Sequence, residues 1–178
     1  MNRRLFFILA LTAVFLLTAC AGVNTPARTG SQAAKPEVTE AADEAIRIFI
    51  TVDCALVLEN ERTKQTARDI VAVLIGRGHC DEKGLFFQDE LVLAKKKSAF
   101  DALLATGLLI SYRESAFGPF VMAIEGLGEG DGGATSGWVY LVNGKAPAVS
   151  SGLFSLSDGD VVQWRYSVEE SDLMGDQP

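Results

Sequence analysis

The side chains in this sequence best suited to chemistry are two cysteines, Cys54 and Cys80, and the only histidine, His79. They are poorly spaced for a metal site, because His79 and Cys80 are adjacent and no fourth ligand suggests itself. In an exported protein the two thiols would oxidise, and the cross-link would contribute ~3 kcal/mol through loop entropy. We therefore predict a disulfide between Cys54 and Cys80, with a metal site as the weaker alternative.

The glycine-rich segment 126–133 contains a second motif with chemical meaning, a Gly-x-Gly-x-x-Gly match that begins at Gly128. This motif binds dinucleotides when a helix follows it, but here a predicted strand follows, and the acids within it would repel a pyrophosphate. Calcium is a better candidate, yet Glu125, Glu129 and Asp131 are few ligands for an ion that takes six to eight oxygens. We predict a mobile surface loop and no metal.

No grouping of residues in the sequence has the pattern of a catalytic site. A nucleophile elbow and a His-Glu-x-x-His motif are both absent, and the paired acids fall in predicted turns or in the tail. A formal net charge of −7 also argues against a nucleic-acid partner, because phosphate binding needs clustered Lys and Arg. We therefore predict a binding protein rather than an enzyme.

Two aromatic pairs at alternate positions are candidates for a ligand platform. Trp138 and Tyr140 share one face of a predicted strand, and Trp164 and Tyr166 repeat the spacing on a predicted neighbour. Such aromatics commonly pack in a core, so core packing and a ligand platform stand as alternatives. The polar segment before Trp138 is predicted to meet a ligand, because loops carry recognition. The candidate ligand contacts are Thr135, Ser136, Gly137, Trp138 and Tyr140.

Hydrophobic periodicity predicts a small α+β domain, a mixed sheet with a packed helix. Apolar runs typical of strands occur at 46–52, 85–93, 108–112, 120–124, 138–142 and 161–168. Helical spacing predicts a helix over 64–75, and Ser98 with Asp101 predicts a capped second helix that ends at Gly107. Asn143-Gly144 predicts a hairpin turn.

The N-terminal segment is similar to a bacterial lipoprotein signal. A basic start precedes an apolar run over residues 5–17, which is too short to cross a bilayer core of ~30 Å permanently. The segment ends in Leu17-Thr18-Ala19-Cys20, which resembles a lipobox, whose cysteine takes a diacylglycerol group. We therefore predict a signal peptide over residues 1–19 and lipidation of Cys20, which anchors the protein to a membrane.

The segments that flank the domain are predicted to be flexible. Residues 20–45 are rich in Ala, Thr, Ser, Pro and Glu, which is typical of a tether, and residues 169–178 form an acidic tail. The prediction is an exported protein, anchored by lipid to the cell membrane or outer membrane and facing the periplasm or exterior.

Three blocks of the domain, residues 98–104, 136–144 and 156–166, resemble the transcobalamin C-terminal-like family (domain of unknown function 4430), and residues 50–54 are similar to its first strand. The resemblance implies a ubiquitin-like β-grasp domain over residues 46–168. It also implies kinship with the domain that covers one face of the corrin ring in cobalamin carriers, and therefore a corrinoid ligand. In those carriers a helical barrel completes the site, so we expect a half-site that needs an envelope partner. The alternative is a protein–protein interaction or adhesion module of the cell surface without a small-molecule ligand.

Overall fold

The computed structural model of the protein describes residues 45–169 and 172. The predicted signal peptide, the lipidated Cys20, the tether up to residue 44 and most of the acidic tail lie outside these residues. Within the described part, no helix is long and apolar enough to cross a membrane.

The described residues form seven strands and three helices, and the predicted α+β class is confirmed. In chain order the elements are β1 (Ala45–Asp53), α1 (Ala55–Glu59), α2 (Gln65–Gly76), β2 (Leu85–Ala94), α3 (Ala99–Ala105), β3 (Ile110–Arg113), β4 (Phe120–Ile124), β5 (Leu127–Gly128), β6 (Gly137–Val142) and β7 (Val161–Ser167). The short helix α1 is absent from the sequence prediction, because five residues are too few to show a helical period.

The main sheet has the strand order β2-β1-β7-β6. Its central strands β1 and β7 run parallel, while β1 pairs antiparallel with β2 and β7 pairs antiparallel with β6. This mixed sheet with helices against one face is the β-grasp arrangement. A second, smaller sheet has the order β3-β4-β5.

The core lies between the main sheet and helices α2 and α3. Ile46, Ile48, Ile50 and Val52 of β1 are buried, while the residues between them are exposed or half-buried. Helix α2 adds Ala67, Val71 and Leu74 to this core, and α3 adds Ala99, Phe100, Ala102 and Leu103. The predicted packing of a helix on the sheet is therefore confirmed.

The hairpin turn predicted at Asn143-Gly144 is confirmed. Both residues have positive φ, and a tight turn forms in which Val142 and Lys145 exchange backbone hydrogen bonds of 2.9 and 3.1 Å. The second arm stops there, because Pro147 cannot donate to a ladder. The antiparallel partner of β6 is the distant β7, which confirms that the two aromatic pairs lie on neighbouring strands. The Asn143 side chain positions β7 by accepting a 2.9 Å hydrogen bond from the Val161 amide.

The disulfide predicted between Cys54 and Cys80 is not formed in the structure, in which both residues are buried free cysteines. Cys54 is packed into the core, and a Cβ at Gly84 would lie only 3.0 Å from its Sγ. Burial raises the pKa of both thiols. His79 pairs with Glu125 at 2.8 Å, and residues 45–169 contain no group of three metal-binding side chains.

The predicted cap of α3 is confirmed as a complete capping box. The Ser98 Oγ accepts a 3.1 Å hydrogen bond from the Asp101 amide, and the Asp101 carboxylate accepts a 2.8 Å hydrogen bond from the Ser98 amide. Lys97 adds a 2.9 Å ion pair with Asp101. Burial alone would raise the pKa of Asp101, but the bonds from Ser98 and Lys97 outweigh it and hold the pKa below its ordinary value.

We predict that Asp101→Asn lowers the free energy of unfolding by about 1 kcal/mol at neutral pH. A lowered carboxyl pKa stabilises the fold above the ordinary value of 3.8, and this contribution is lost as the pH falls through the folded-state pKa. Urea unfolding at pH 7 and at pH 3 should show the difference from the wild type shrinking in acid. Asp69→Asn, which changes the charge equally on the exposed face of α2, should cost less than about 0.5 kcal/mol at neutral pH. Equal losses in the two variants would contradict the assignment.

Candidate functional site

Two adjacent open hollows lie where the smaller sheet meets the edge strand β6. The first, named here the hairpin hollow, has a volume of ≈ 410 Å³ and lies beside the turn between β3 and β4. The second, named the loop hollow, has a volume of ≈ 380 Å³ and lies beside the glycine-rich loop before β6. Phe120 and Trp138 line both hollows, so the two share one wall.

The pairing of β6 with β7 fixes the aromatic floor of this region. Trp138 lies opposite Tyr166 and Tyr140 lies opposite Trp164, with ring centroids 5.5 Å apart in each pair. Trp138 is 7% exposed, and its indole N–H donates a 2.8 Å hydrogen bond to the Leu127 carbonyl. Of the alternatives set out for these aromatics, core packing is therefore confirmed for Trp138, which still borders both hollows.

The glycine-rich loop is fastened to the sheet by a buried hydroxyl network around Tyr166. The Tyr166 hydroxyl donates to the Gly128 carbonyl at 2.6 Å and accepts from the Gly132 amide at 3.0 Å. The Ser136 hydroxyl lies 3.0 Å from it and donates to the Gly133 carbonyl. Burial raises the pKa of Tyr166, although its bonds with Ser136 and Gly132 act in the other direction. The phenol is therefore neutral at pH 7 and can donate.

The position of Gly132 has little room for a side chain. A Cβ there would lie 3.0 Å from the Tyr166 ring and 3.3 Å from the Ser136 side chain. The loop hollow therefore keeps its shape because the backbone of the loop approaches the tyrosine closely.

The wall of the hairpin hollow is the turn between β3 and β4. Ser115 closes this turn, since its hydroxyl donates a 2.7 Å hydrogen bond to the Gly118 carbonyl. The turn leaves Phe117 81% exposed. The Arg113 guanidinium lies 4.7 Å from the centroid of the Phe120 ring, a cation–π geometry.

The structure brings together all five residues predicted to contact a ligand. Thr135, Ser136, Gly137 and Trp138 line the loop hollow, and Trp138 and Tyr140 line the hairpin hollow. Ser136 is 6% exposed and is held within the hydroxyl network, so it is the least accessible of the five. That these residues bind a ligand stays a prediction.

The sequence reasoning missed Arg113, Phe117 and Phe120. These residues flank a turn between two apolar runs, and Phe120 was assigned only as the start of a strand. The sequence contains one indication of such a surface. Phe117 lies within the Ser115–Gly118 turn and Phe120 follows it, and apolar side chains grouped in an exposed connection are typical of a binding surface. Their meeting with β6 depends on tertiary packing and could not be seen in the sequence.

This part of the chain is thus a small α+β domain with a ligand-sized surface depression. The family model described as Domain of unknown function (DUF4430) matches residues 97–168, which confirms the resemblance over that segment. The match begins just before α3 and ends just after β7, and it contains every residue that lines the two hollows.

Solved structures also resemble the chain. The crystal structure of haptocorrin in complex with Cbi matches with a TM-score of 0.47 and 14% identity, over 69% of this chain and 25% of the other. This chain therefore spans about a quarter of the haptocorrin chain. A protein from Ruminococcus gnavus ATCC 29149, to which metal binding has been ascribed, matches with a TM-score of 0.38 and 13% identity, over 68% of this chain and 96% of the other. No curated protein matches the sequence.

We predict that Tyr166→Phe lowers the free energy of unfolding by about 1–2 kcal/mol, because it removes the hydroxyl that donates to the Gly128 carbonyl and accepts from the buried Gly132 amide. Chemical denaturation measures the loss. The amide of Gly132 should also exchange faster with solvent, since it loses one of its two acceptors. Tyr140→Phe is the matched control, because its hydroxyl donates to the exposed carbonyl of Val149 and should cost less than half as much. A larger loss in the control would show that the Tyr166 network does not hold the loop.

Proposed function

We propose that this chain is an exported, lipid-anchored binding protein of the cell envelope, and that it binds a corrinoid at the two hollows. In this proposal the protein acts by binding and not by catalysis. In the described part of the chain, neither hollow is lined by histidine or cysteine, and Glu129 is the only carboxylate on either wall. Among the described residues, the hydroxyls of Ser115, Ser136 and Ser150 donate to backbone carbonyls and are not paired with a histidine or carboxylate base that would activate them.

The observation that carries the proposal is the position of Trp138 at the junction of the two hollows. Together with Phe120 and Tyr140 it gives the region aromatic and largely apolar walls that also carry polar side chains. Ligand sites have this composition, and each hollow is within the range of ~300–1,000 Å³ that such sites occupy. A flat conjugated ring would pack well against aromatic side chains.

The openness of the hollows supports the half-site that the family resemblance implies. A ring lying across Trp138 would be covered on one face and exposed on the other. A second protein of the envelope, in this proposal, covers the exposed face. Because the segment that matches the family contains both hollows, the corrinoid implied by the resemblance is the first ligand to test.

The proposed location rests on residues 1–20 of the sequence. A basic start, a short apolar run and the Leu17-Thr18-Ala19-Cys20 sequence together support export and lipidation of Cys20. Two acyl chains give durable anchoring, whereas one chain binds reversibly. The domain would then face the periplasm or the cell exterior.

The alternative is a protein–protein interaction or adhesion module without a small-molecule ligand. The outer face of the main sheet carries the observation that favours it. Phe49 and Val161 are paired neighbours on that face and are 39% and 46% exposed, and Val92 on β2 is 60% exposed. Exposed apolar side chains grouped on a sheet are typical of an interaction surface.

We predict that cyanocobalamin binds the purified full chain and quenches its tryptophan fluorescence, because both tryptophans of the sequence line the hairpin hollow. Phe117→Ser should weaken binding about tenfold, since a ring packed on the ligand contributes on the order of 1–2 kcal/mol. Calorimetry gives the affinities independently of the optical signal. Leu109→Ser is the matched control, because this leucine is 68% exposed and lines neither hollow. The absence of any heat or quenching up to millimolar ligand would remove the corrinoid, and a partner cross-linked in intact cells would then favour the alternative.

We predict that Cys20→Ser abolishes the membrane anchor, since serine lacks the thiol that takes the lipid. Mass spectrometry of the mature N-terminus should find an acylated Cys20 in the wild type and no acyl mass in the variant. Cell fractionation should move the variant out of the membrane fraction, whereas Cys80→Ser should remain in it. Wild-type protein that carries an unmodified Cys20 in the cytosol would overturn both the anchor and the export.

A further inference from the structure

We infer that the hairpin hollow takes a flat, apolar ligand that carries an anionic group, and that Arg113 pairs with this group. The inference rests on the proposed function in taking the hairpin hollow as the ligand site, but it does not require the ligand to be a corrinoid. The charge of the hollow and its unused hydrogen-bond donors indicate the chemical class of the ligand.

The charge of the hairpin hollow is opposite to that of the chain. The chain has a formal net charge of −7, yet among the described residues Arg113 is the only charged one that lines this hollow. Among the described residues, the ion pairs are made by Arg47, Arg62, His79 and Lys97, so Arg113 has no carboxylate partner there. A cationic group on a hollow without acids favours an anion.

The guanidinium of Arg113 is held in place by its packing on a ring. Its central carbon lies 4.7 Å from the centroid of Phe120, which itself lines the hollow. Packing on an aromatic face orients a guanidinium and leaves its N–H groups free. These groups can then form bidentate hydrogen bonds with a carboxylate or a phosphate.

Most other donors at the hollow are already used. The indole N–H groups of Trp138 and Trp164 donate to backbone carbonyls. The hydroxyls of Ser115, Tyr140 and Ser150 also donate to backbone carbonyls. These oxygens offer a ligand only lone pairs, which an anion avoids. Among the described side chains that line this hollow, Arg113 and Ser151 therefore have hydrogen-bond donors that are not already used.

The remaining walls select for a flat apolar body. Phe117 is 81% exposed and Phe120 is 40% exposed, and both would lose water contact against a ring laid into the hollow. The hairpin hollow thus combines an aromatic floor with one cationic end. A planar molecule that bears a phosphate, sulfonate or carboxylate would match both.

The test uses two flat probes that differ only in a phosphate, flavin mononucleotide and riboflavin, titrated into the purified full chain. We expect flavin mononucleotide to bind more tightly than riboflavin. Arg113→Gln should weaken the phosphate-bearing probe about tenfold and leave riboflavin unchanged, because a charge-assisted pair is lost. Arg77→Gln is the matched control, since it removes the same charge from an exposed position that lines neither hollow.

Several outcomes would overturn the inference. These are binding of neither probe, equal affinities of the two probes, an equal effect of Arg113→Gln on both, or an equal effect of Arg77→Gln. Cyanocobalamin separates this result from the proposed function. If cyanocobalamin binds the wild type and the Arg113→Gln variant with equal affinity, and neither flavin probe binds, the inference is wrong and the corrinoid proposal stands. If flavin mononucleotide binds through Arg113 and cyanocobalamin does not bind, the ligand class stands and the corrinoid is wrong.

Discussion

The register between β6 and β7 is the constraint on which the candidate site depends. It sets Trp138 opposite Tyr166 and Tyr140 opposite Trp164 on the inner face of the sheet. A slip of β6 by one residue would turn Trp138 and Tyr140 to the outer face, since side chains alternate along a strand. The same register lets Trp138 reach the Leu127 carbonyl and so ties the smaller sheet to the main one. The aromatic floor thus belongs to the core and to the site at once.

Close backbone approaches complete the site. Gly132 passes beside the Tyr166 ring, and Gly152 passes Pro119 so closely that a Cβ at Gly152 would lie 2.5 Å from the proline ring. The first approach shapes the loop hollow, and the second packs the turn between β3 and β4 against the segment that connects β6 to β7. Because packed contacts of this kind deform little, the hollows are built into the fold before any ligand arrives.

Features that depend on neighbours in sequence could be predicted, and features that depend on distant contacts could not. The alternation in β1, the spacing in α2 and the capping box of α3 are local, and the structure has all three. Asn143-Gly144 forms the predicted turn, which is local too, but it does not specify the path of the chain from that turn to β7. The candidate ligand residues were predicted because they form one continuous segment. Arg113 and Phe120 lie on β3 and β4 of the smaller sheet. Their position beside that segment depends on tertiary packing, which no local sequence pattern encodes.

The Trp138 side chain fixes the floor of the candidate site in the ligand-free protein. Hydrogen exchange of its indole N–H, followed by NMR in the full chain without ligand, tests this most directly. We expect this N–H to exchange as slowly as core amides such as that of Ile50, because it donates to the Leu127 carbonyl and the Trp138 side chain is 7% exposed. Exchange as fast as that of a solvent-exposed indole would contradict it.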